Sequence, residues 1–375
     1  MNVPNNLEAL QVNRSQAIGK QINKNTLLDE RTIAILRLHF DPINGSLFWL
    51  KRQEKLGFDV RDRLRTFADL DLLGRVDSQD LRNYSVFEWL PKIFFPERSS
   101  LILGESAGTS GKPHITLYRE REFYQAFIIP FLEIAQKCGF PRQSPWLWIG
   151  PSGPHIIGKV VRVLAREMAS PDPFSVDFDP RWVKKLKLGS YSFQRYLDHV
   201  VDQALTILER ENIEILFTTP PIVTRLTQRL SNRQLGQIRG IHYGGMVISA
   251  HQMNEFKACF PNAIHLSGYG NTLFGVLMES EDKLRTHIDY TVPDSRLLFR
   301  VENRTDENRG QICFTRLDQS VFLNQVMERD HATIWVNESA DLVEENQIGW
   351  YSQGAILRDP APPIQLKSEL KLGLY

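Results

Sequence analysis

From Leu101 onward the chain repeats one unit: a short apolar run, a loop containing glycine, and a stretch with helical spacing. The apolar runs are LILG (101–104), WLWIG (146–150), EILFT (214–218) ahead of a Pro-Pro turn, and IRGIHY (238–243) ahead of Gly244 and Gly245. After the second run the spacing predicts a helix around Ile156–Met168. Strand, glycine loop and helix in series build an α/β fold with substantially parallel sheets. Ligands in such folds sit beyond the carboxyl ends of the strands, which is where the unusual loops of this sequence fall.

The flanks read differently. Residues 5–40 look helical and polar, and Arg61–Tyr84 has the spacing of short helices that would pack on a larger body. After about Asp289 the runs LLFRVENR, GQICFTRL and HATIWVN read as strands of a more antiparallel region. The expected division is a helical part over 1–98, an α/β core over 99–290, and a β-rich subdomain with a short tail over 291–375.

Charge excludes some function classes. Across 375 residues, 45 Lys and Arg against 44 Asp and Glu leave a formal net charge of +1. No global field draws nucleic acid or an anionic membrane, so neither is expected as a partner. The local cluster Lys184, Lys185, Lys187 reads as a solvated face. No apolar run reaches membrane-span length, and the first residues lack the pattern of a secretory signal. Cys138, Cys259 and Cys313 stand far apart without CxxC spacing, so neither a disulfide framework nor a zinc site is expected. A cytoplasmic setting is the simplest.

The segment Leu101–Tyr118 carries the most chemistry. A strand runs into Glu105-Ser106-Ala107-Gly108-Thr109-Ser110-Gly111-Lys112-Pro113. Glycines let backbone N–H groups approach an anion, hydroxyls add donors, and lysine supplies a compact charge. That chemistry suits a polyphosphate. A Walker loop would need Gly at Ser106 and Ser or Thr at Pro113, and the GxGxxG fingerprint is absent. By composition alone the segment is equally a surface loop.

The order of residues resembles the phosphate-binding signature of the adenylate-forming (acyl-adenylating, AMP-binding) enzymes, [ST]SG[ST][ST]GKP, with Ala107 as the departure. Further resemblances follow in the same order. His242-Tyr243-Gly244-Gly245-Met246 is similar to the family's adenine loop. Tyr269-Gly270-Asn271-Thr272-Leu273 is similar to Tyr-Gly-x-Thr-Glu. Gly310–Thr315 resembles a Gly-Glu-Leu strand, and Asp330 resembles the acid that holds the ribose. Within the family the texture is similar to the phenylacetate–CoA ligase branch and to proteins handling aryl carboxylates in phenazine antibiotic biosynthesis.

The resemblance implies the large N-terminal domain of such an enzyme, with layered α/β sheets and a small β-rich subdomain. It implies ATP as cosubstrate and an aromatic carboxylic acid as substrate. Ser106, Gly108, Thr109, Ser110, Gly111 and Lys112 would hold phosphates, with Lys112 and Thr272 serving the chemistry. Gly244, Gly245, Met246, Tyr269, Gly270 and Asn271 would frame the adenine and acyl groups, and Asp330 would take the ribose. Mg²⁺ would accompany ATP, yet Leu273 stands where the family's metal carboxylate belongs, and a hard cation needs oxygen ligands. Family members normally continue into a mobile lid carrying a lysine. This sequence ends at Tyr375, so a version without the lid is expected, with an acceptor, reductase or lid-supplying protein as partner. Lys367 and Lys371 read as solvated tail charges.

Between the nucleotide motifs, WLWIGPSGPHIIG (146–158) falls where the family builds its acyl pocket. Gly153, His155 and Gly268 are the expected acid contacts; His155 is otherwise a structural loop histidine. Trp146 and Trp148 share a strand face and read as core. No GxSxG elbow or HExxH motif competes. The other reading is a binding protein on the same scaffold, holding an aryl acid or acyl adenylate with little catalysis.

Overall fold

The structure is a computed structural model. It describes residues 24–106, 113–279, 286–304, 309–336 and 349–363. Among the described residues, a hairpin of β1 (Ile102–Glu105) and β2 (Ile115–Tyr118) stands beside one continuous sheet of 11 strands.

Half of that sheet is parallel. Strands β4 (Phe174–Val176), β3 (Trp146–Ile149), β5 (Ile215–Thr218), β6 (Gly240–Tyr243) and β7 (Ile264–Asn271) lie side by side in that order. They are the apolar runs of the sequence, and β3, β5 and β6 are buried along their whole length. A strand covered on both faces must be apolar throughout, and helices provide the cover. Helix Tyr191–Arg210 turns Phe193, Leu197, Val200, Val201, Ala204 and Leu208 inward at three- and four-residue steps. Its first turn is capped by Ser190, whose hydroxyl accepts from the Phe193 N–H at 3.3 Å. On the opposite face, helix Ile156–Glu167 buries Ile156, Val160, Val161, Leu164 and Ala165.

The sheet therefore divides two cores. Trp146, Trp148, Ile215, Phe217 and Leu266 face one, with Phe127 and Phe131. Leu147, Ile149, Leu216, Ile241 and Tyr243 face the other, which extends through the N-terminal helices and the antiparallel strands. Alternation along each strand produces this separation.

Strand β7 changes partners midway. Ile264–Ser267 pair in parallel with β6, whereas Gly268–Asn271 pair antiparallel with β8 (Gly275–Glu279). From there every ladder is antiparallel, through β9 (Asp289–Thr291), β13 (Ala355–Ala361), β12 (Phe322–Val336), β11 (Arg309–Leu317) and β10 (Leu297–Glu302). Antiparallel pairing thus begins at Gly268, ahead of the Tyr290 at which the sequence pattern alone places the change. The described N-terminal residues form helices Lys24–His39 and Leu47–Leu56 and shorter turns; the part of the stretch read as helical that precedes Lys24 lies outside the described residues. No helix among the described residues is long and apolar enough to cross a membrane.

Candidate functional site

The carboxyl ends of the parallel strands, the β1–β2 hairpin and the first turn after β7 meet in one region. Ser106 closes the neck of the hairpin. Its N–H donates to the His114 carbonyl at 2.9 Å, and its hydroxyl accepts the His114 N–H at 2.8 Å. The Ser106 side chain is therefore committed to holding the loop shut at its base. Gly108, Thr109, Ser110, Gly111 and Lys112 lie outside the described residues.

The neck is anchored on two sides. The Glu105 N–H donates to the Pro154 carbonyl at 2.9 Å, and Thr272 Oγ1 donates to the Glu105 carbonyl at 3.5 Å. A Cβ on Gly104 would stand 3.0 Å from both Ile156 and the Thr272 methyl, so glycine is what lets the hairpin approach them. Thr272 is placed from below, because its carbonyl accepts the Tyr118 hydroxyl at 2.8 Å. Asn271 shapes the turn by accepting the N–H groups of Leu273 and Phe274, at 2.8 and 3.1 Å. Gly270 is required by the same crowding, since a Cβ there would meet the Gly275 carbonyl at 2.0 Å.

Behind the turn sits a buried charge cluster. Arg316 donates to the Leu273 carbonyl at 2.8 Å, the Leu117 carbonyl at 3.1 Å and Asp318 at 2.5 Å. Arg296 donates to the Phe274 carbonyl at 2.7 Å and to Asp318 at 3.3 Å. Burial would raise the Asp318 carboxyl, yet Arg316 and Arg296 hold it below the ordinary carboxylate range. The cluster ties the hairpin and the Thr272 turn to one rigid base. Leu273 is buried in the same core.

Strand β12 brings two carboxylates to the exposed end of β7. The Tyr269 hydroxyl donates to Asp330 at 3.3 Å, and the Asn271 amide donates to Glu328. Residues two apart on a strand share a face, so the pairs Tyr269/Asn271 and Glu328/Asp330 meet face to face. Burial, and then the nearby Asp330 charge, push the Glu328 carboxyl up to about 7. Between its ordinary value of 4.5 and about 7, the folded chain keeps a proton that the unfolded chain has lost. Stability contributed by this group therefore falls as pH rises through that window and is flat above it. Glu328→Gln keeps an acceptor for Asn271 and removes the titration. It is expected to be more stable than wild type above pH 7 by up to about 3 kcal/mol, with the difference vanishing below pH 4.5. Urea unfolding at several pH values reads this directly; a pH-independent difference would remove the assignment.

On the first core face, the register aligns Trp148, Phe217 and His242 in one row across β3, β5 and β6. Their rings pack at 4.7 Å (Trp148–Phe217) and 4.1 Å (Phe217–His242) between centroids. Each leans over a glycine further along the sheet. A Cβ would stand 2.3 Å from Trp148 at Gly150, 3.0 Å from Phe217 at Gly244, and 3.3 Å from His242 at Gly268. Gly244 and Gly268 thus have a packing reason of their own. Gly245 (φ 79°) and Met246 continue the loop at the surface. Gly153, with φ 55°, lies on an exposed turn open to solvent.

His155 differs from an ordinary loop histidine. It is 4% exposed, and neither ring nitrogen has a hydrogen-bond partner among the described residues. Its backbone bridges to Glu105 at the mouth of the hairpin. Burial pushes the imidazole below its ordinary value and the adjacent Glu105 backbone pulls the other way, leaving it neutral at neutral pH. A buried polar group without a hydrogen-bond partner carries a cost that a ligand can remove.

None of the family motifs read in the sequence includes Glu328, Arg316 or Arg296. The alternation of acids at 328 and 330 in a strand pattern is a signal for the first. The arginines in otherwise apolar strands are a signal for the others, since buried Arg is rare without partners.

No family model matches the chain, and no curated protein matches it in sequence. Solved structures do match in fold. A 2-hydroxyisobutyryl-CoA ligase in complex with 2-HIB-AMP and CoA, in the thioesterification state, superposes with TM-score 0.61 at 12% identity, over 85% of this chain and 65% of the ligase. Its open conformation with the same ligands gives TM-score 0.61 at 11% identity, over 89% and 68%. Its postadenylation state with 2-HIB-AMP gives 0.61 at 12%, over 91% and 68%. The chain spans about two thirds of the length of that ligase.

Proposed function

We infer a function from the fold that this chain shares with the N-terminal domain of adenylate-forming enzymes. From that premise we propose that it binds ATP and an aromatic carboxylic acid and joins them as an acyl adenylate. A carboxylate oxygen attacks the α-phosphorus, the bond to the bridging oxygen breaks, and pyrophosphate leaves with the electron pair. The barrier to such a displacement falls through positioning and charge neutralisation. The observation that supports this reading is the convergence of the hairpin neck, Thr272, Asp330 and His155 at the carboxyl edge of the sheet. Thr272 faces the base of the glycine loop and would meet the α-phosphate. Asp330 would accept the ribose hydroxyls. The glycine loop, with Lys112, would hold the β- and γ-phosphates. His155, neutral and buried beside Glu105 at the mouth of the hairpin, would donate to the acid's carboxylate.

A magnesium ion fits this site only through the nucleotide. Position 273 is a buried leucine, and no group of three His, Cys, Asp or Glu among the described residues could hold a metal. The cation would arrive on the phosphates, and the residues named here position the nucleotide around it. That same leucine favours a second reading, a protein that holds an aryl acid or an acyl adenylate with little turnover. Acid-dependent ATP–pyrophosphate exchange across benzoic, phenylacetic and phenazine carboxylic acids separates the two. Exchange with an aryl acid supports adenylation, and acid binding without exchange supports the second reading. A cytoplasmic setting and a thiol, amine or reductase acceptor complete the proposal.

A further inference from the structure

The near-balance of charge over the whole chain hides one uneven stretch. From Arg181 to Arg195 the sequence RWVKKLKLGSYSFQR holds five cations and neither Asp nor Glu. The fold gives these residues an inner and an outer face. Val183 and Phe193 are buried, and Leu186 packs on the same core. Trp182 is 52% exposed, Leu188 60% and Tyr191 80%, the last being the most exposed large apolar side chain among the described residues. Lys185, Lys187 and Arg195 are exposed as well, and none of the three forms an ion pair among the described residues. Arg181 differs, being held by Asp179 at 3.0 Å and Glu105 at 3.5 Å. Backbone bonds fold the stretch tightly. The Lys185 N–H donates to the Trp182 carbonyl at 2.9 Å, and the Ser190 N–H to the Lys187 carbonyl at 2.9 Å. Positions three apart eclipse in such turns, so Lys185 lies over Trp182. Tyr191 and Arg195 are neighbours on the helix that follows. Between them and Trp182, Gly189 has φ 75° and open space where a side chain would stand, so the Leu188–Gly189 turn projects from the surface. Helix Tyr191–Arg210 crosses between the parallel strands β4 and β5 and so runs against them, which puts this tip at the carboxyl edge of the sheet.

We propose that this projecting tip docks the chain on an anionic lipid bilayer, with Trp182, Leu188 and Tyr191 entering the headgroup layer and Lys185, Lys187 and Arg195 meeting its phosphates. Trp and Tyr prefer that layer, because each pairs an apolar ring with a polar tip. Lysine and arginine stems lie along apolar surface while their charges stay among the headgroups. Binding of this kind grows with the apolar area inserted and with attraction to anionic lipid, and the tip supplies both. The chain lies on such a surface without crossing it, and the cytoplasmic leaflet carries the required charge. A protein partner fits less well, since a stable protein interface takes about 20–30 residues a side and the tip presents these six. Docking neither needs nor implies ATP binding, because none of the six residues belongs to the nucleotide site.

The test is co-sedimentation of the full chain with vesicles of phosphatidylcholine alone and of equimolar phosphatidylcholine and phosphatidylserine. Wild type is expected to sediment with the anionic vesicles and to be released as salt rises. Each lysine near an anionic surface contributes about fivefold in affinity, so the double variant Lys185→Glu, Lys187→Glu should bind at least about tenfold more weakly. The double variant Trp182→Ser, Tyr191→Ser should lose at least about tenfold through its apolar contacts. Both variants should keep the wild-type urea midpoint, because the side chains changed are exposed. Failure of wild type to sediment with anionic vesicles, sedimentation that does not depend on phosphatidylserine, or unchanged binding in either double variant overturns the proposal. Binding of wild type to polyglutamate or to duplex DNA, without binding to vesicles, also overturns it and assigns the patch to an acidic macromolecule.

Discussion

Arg316→Leu is expected to lower the free energy of unfolding by about 3–5 kcal/mol. The guanidinium is completely buried and lies 3.9 Å from the Tyr118 ring centroid. It donates to Asp318, to the carbonyls of Leu117 and Leu273, and at 3.3 and 3.4 Å to the hydroxyls of Thr116 and Ser320. Leucine removes all five donors at once. Asp318 is then left with Arg296 at 3.3 Å as its remaining charged donor in a site without water access. A buried carboxylate stripped of one of its two cations, together with a stranded Leu273 carbonyl, is among the few mechanisms that produce losses of this size. Lysine does not rescue the position, because a single ammonium cannot reproduce the forked geometry. A fall in urea midpoint with an unchanged slope is the expected signature. A change below about 1 kcal/mol would show that the cluster is not the base on which the hairpin and the Thr272 turn rest.

Asp330→Ala is expected to weaken ATP and AMP about 100-fold while leaving stability nearly unchanged. Hydrogen bonds to a charged group contribute about 1.5–3 kcal/mol each, and the two hydroxyls of a ribose would both be lost. The carboxylate is also tied to Tyr269 and Arg329, each at 3.3 Å, so part of the loss is its role in placing them. A comparison of ATP with 2′,3′-dideoxy-ATP separates the contributions. Wild type should discriminate strongly against the dideoxy nucleotide, and Asp330→Ala should not. Equal discrimination in both proteins would place the ribose elsewhere.

The parallel half of the fold is legible because each strand is a compact apolar run followed by glycine or proline, and that pattern depends on neighbours in sequence. The strands β3, β5 and β6 fall within the runs read at 146–150, 214–218 and 238–243. The partner change inside β7 is invisible by the same reasoning. Gly268 looks like part of one strand, and only pairing with β8 reveals the reversal. The pairing of Asn271 with Glu328 is likewise set by long-range contact. Gly244 and Gly268 read as ligand contacts from their motifs, and the structure adds the rings of Phe217 and His242 packed against them. Composition makes three equivalent lysines of 184, 185 and 187, whereas the fold half-buries the first and leaves the other two exposed. In each case the missing information is which distant strand supplies the neighbour.

The most direct test of the central claim is acid-dependent ATP–pyrophosphate exchange by the wild-type chain and by Lys112→Ala. Exchange that requires an aryl carboxylic acid, and that disappears in Lys112→Ala, is the predicted result. Absence of exchange with every acid, together with failure to bind ATP, would contradict it and leave the shared fold without the shared chemistry.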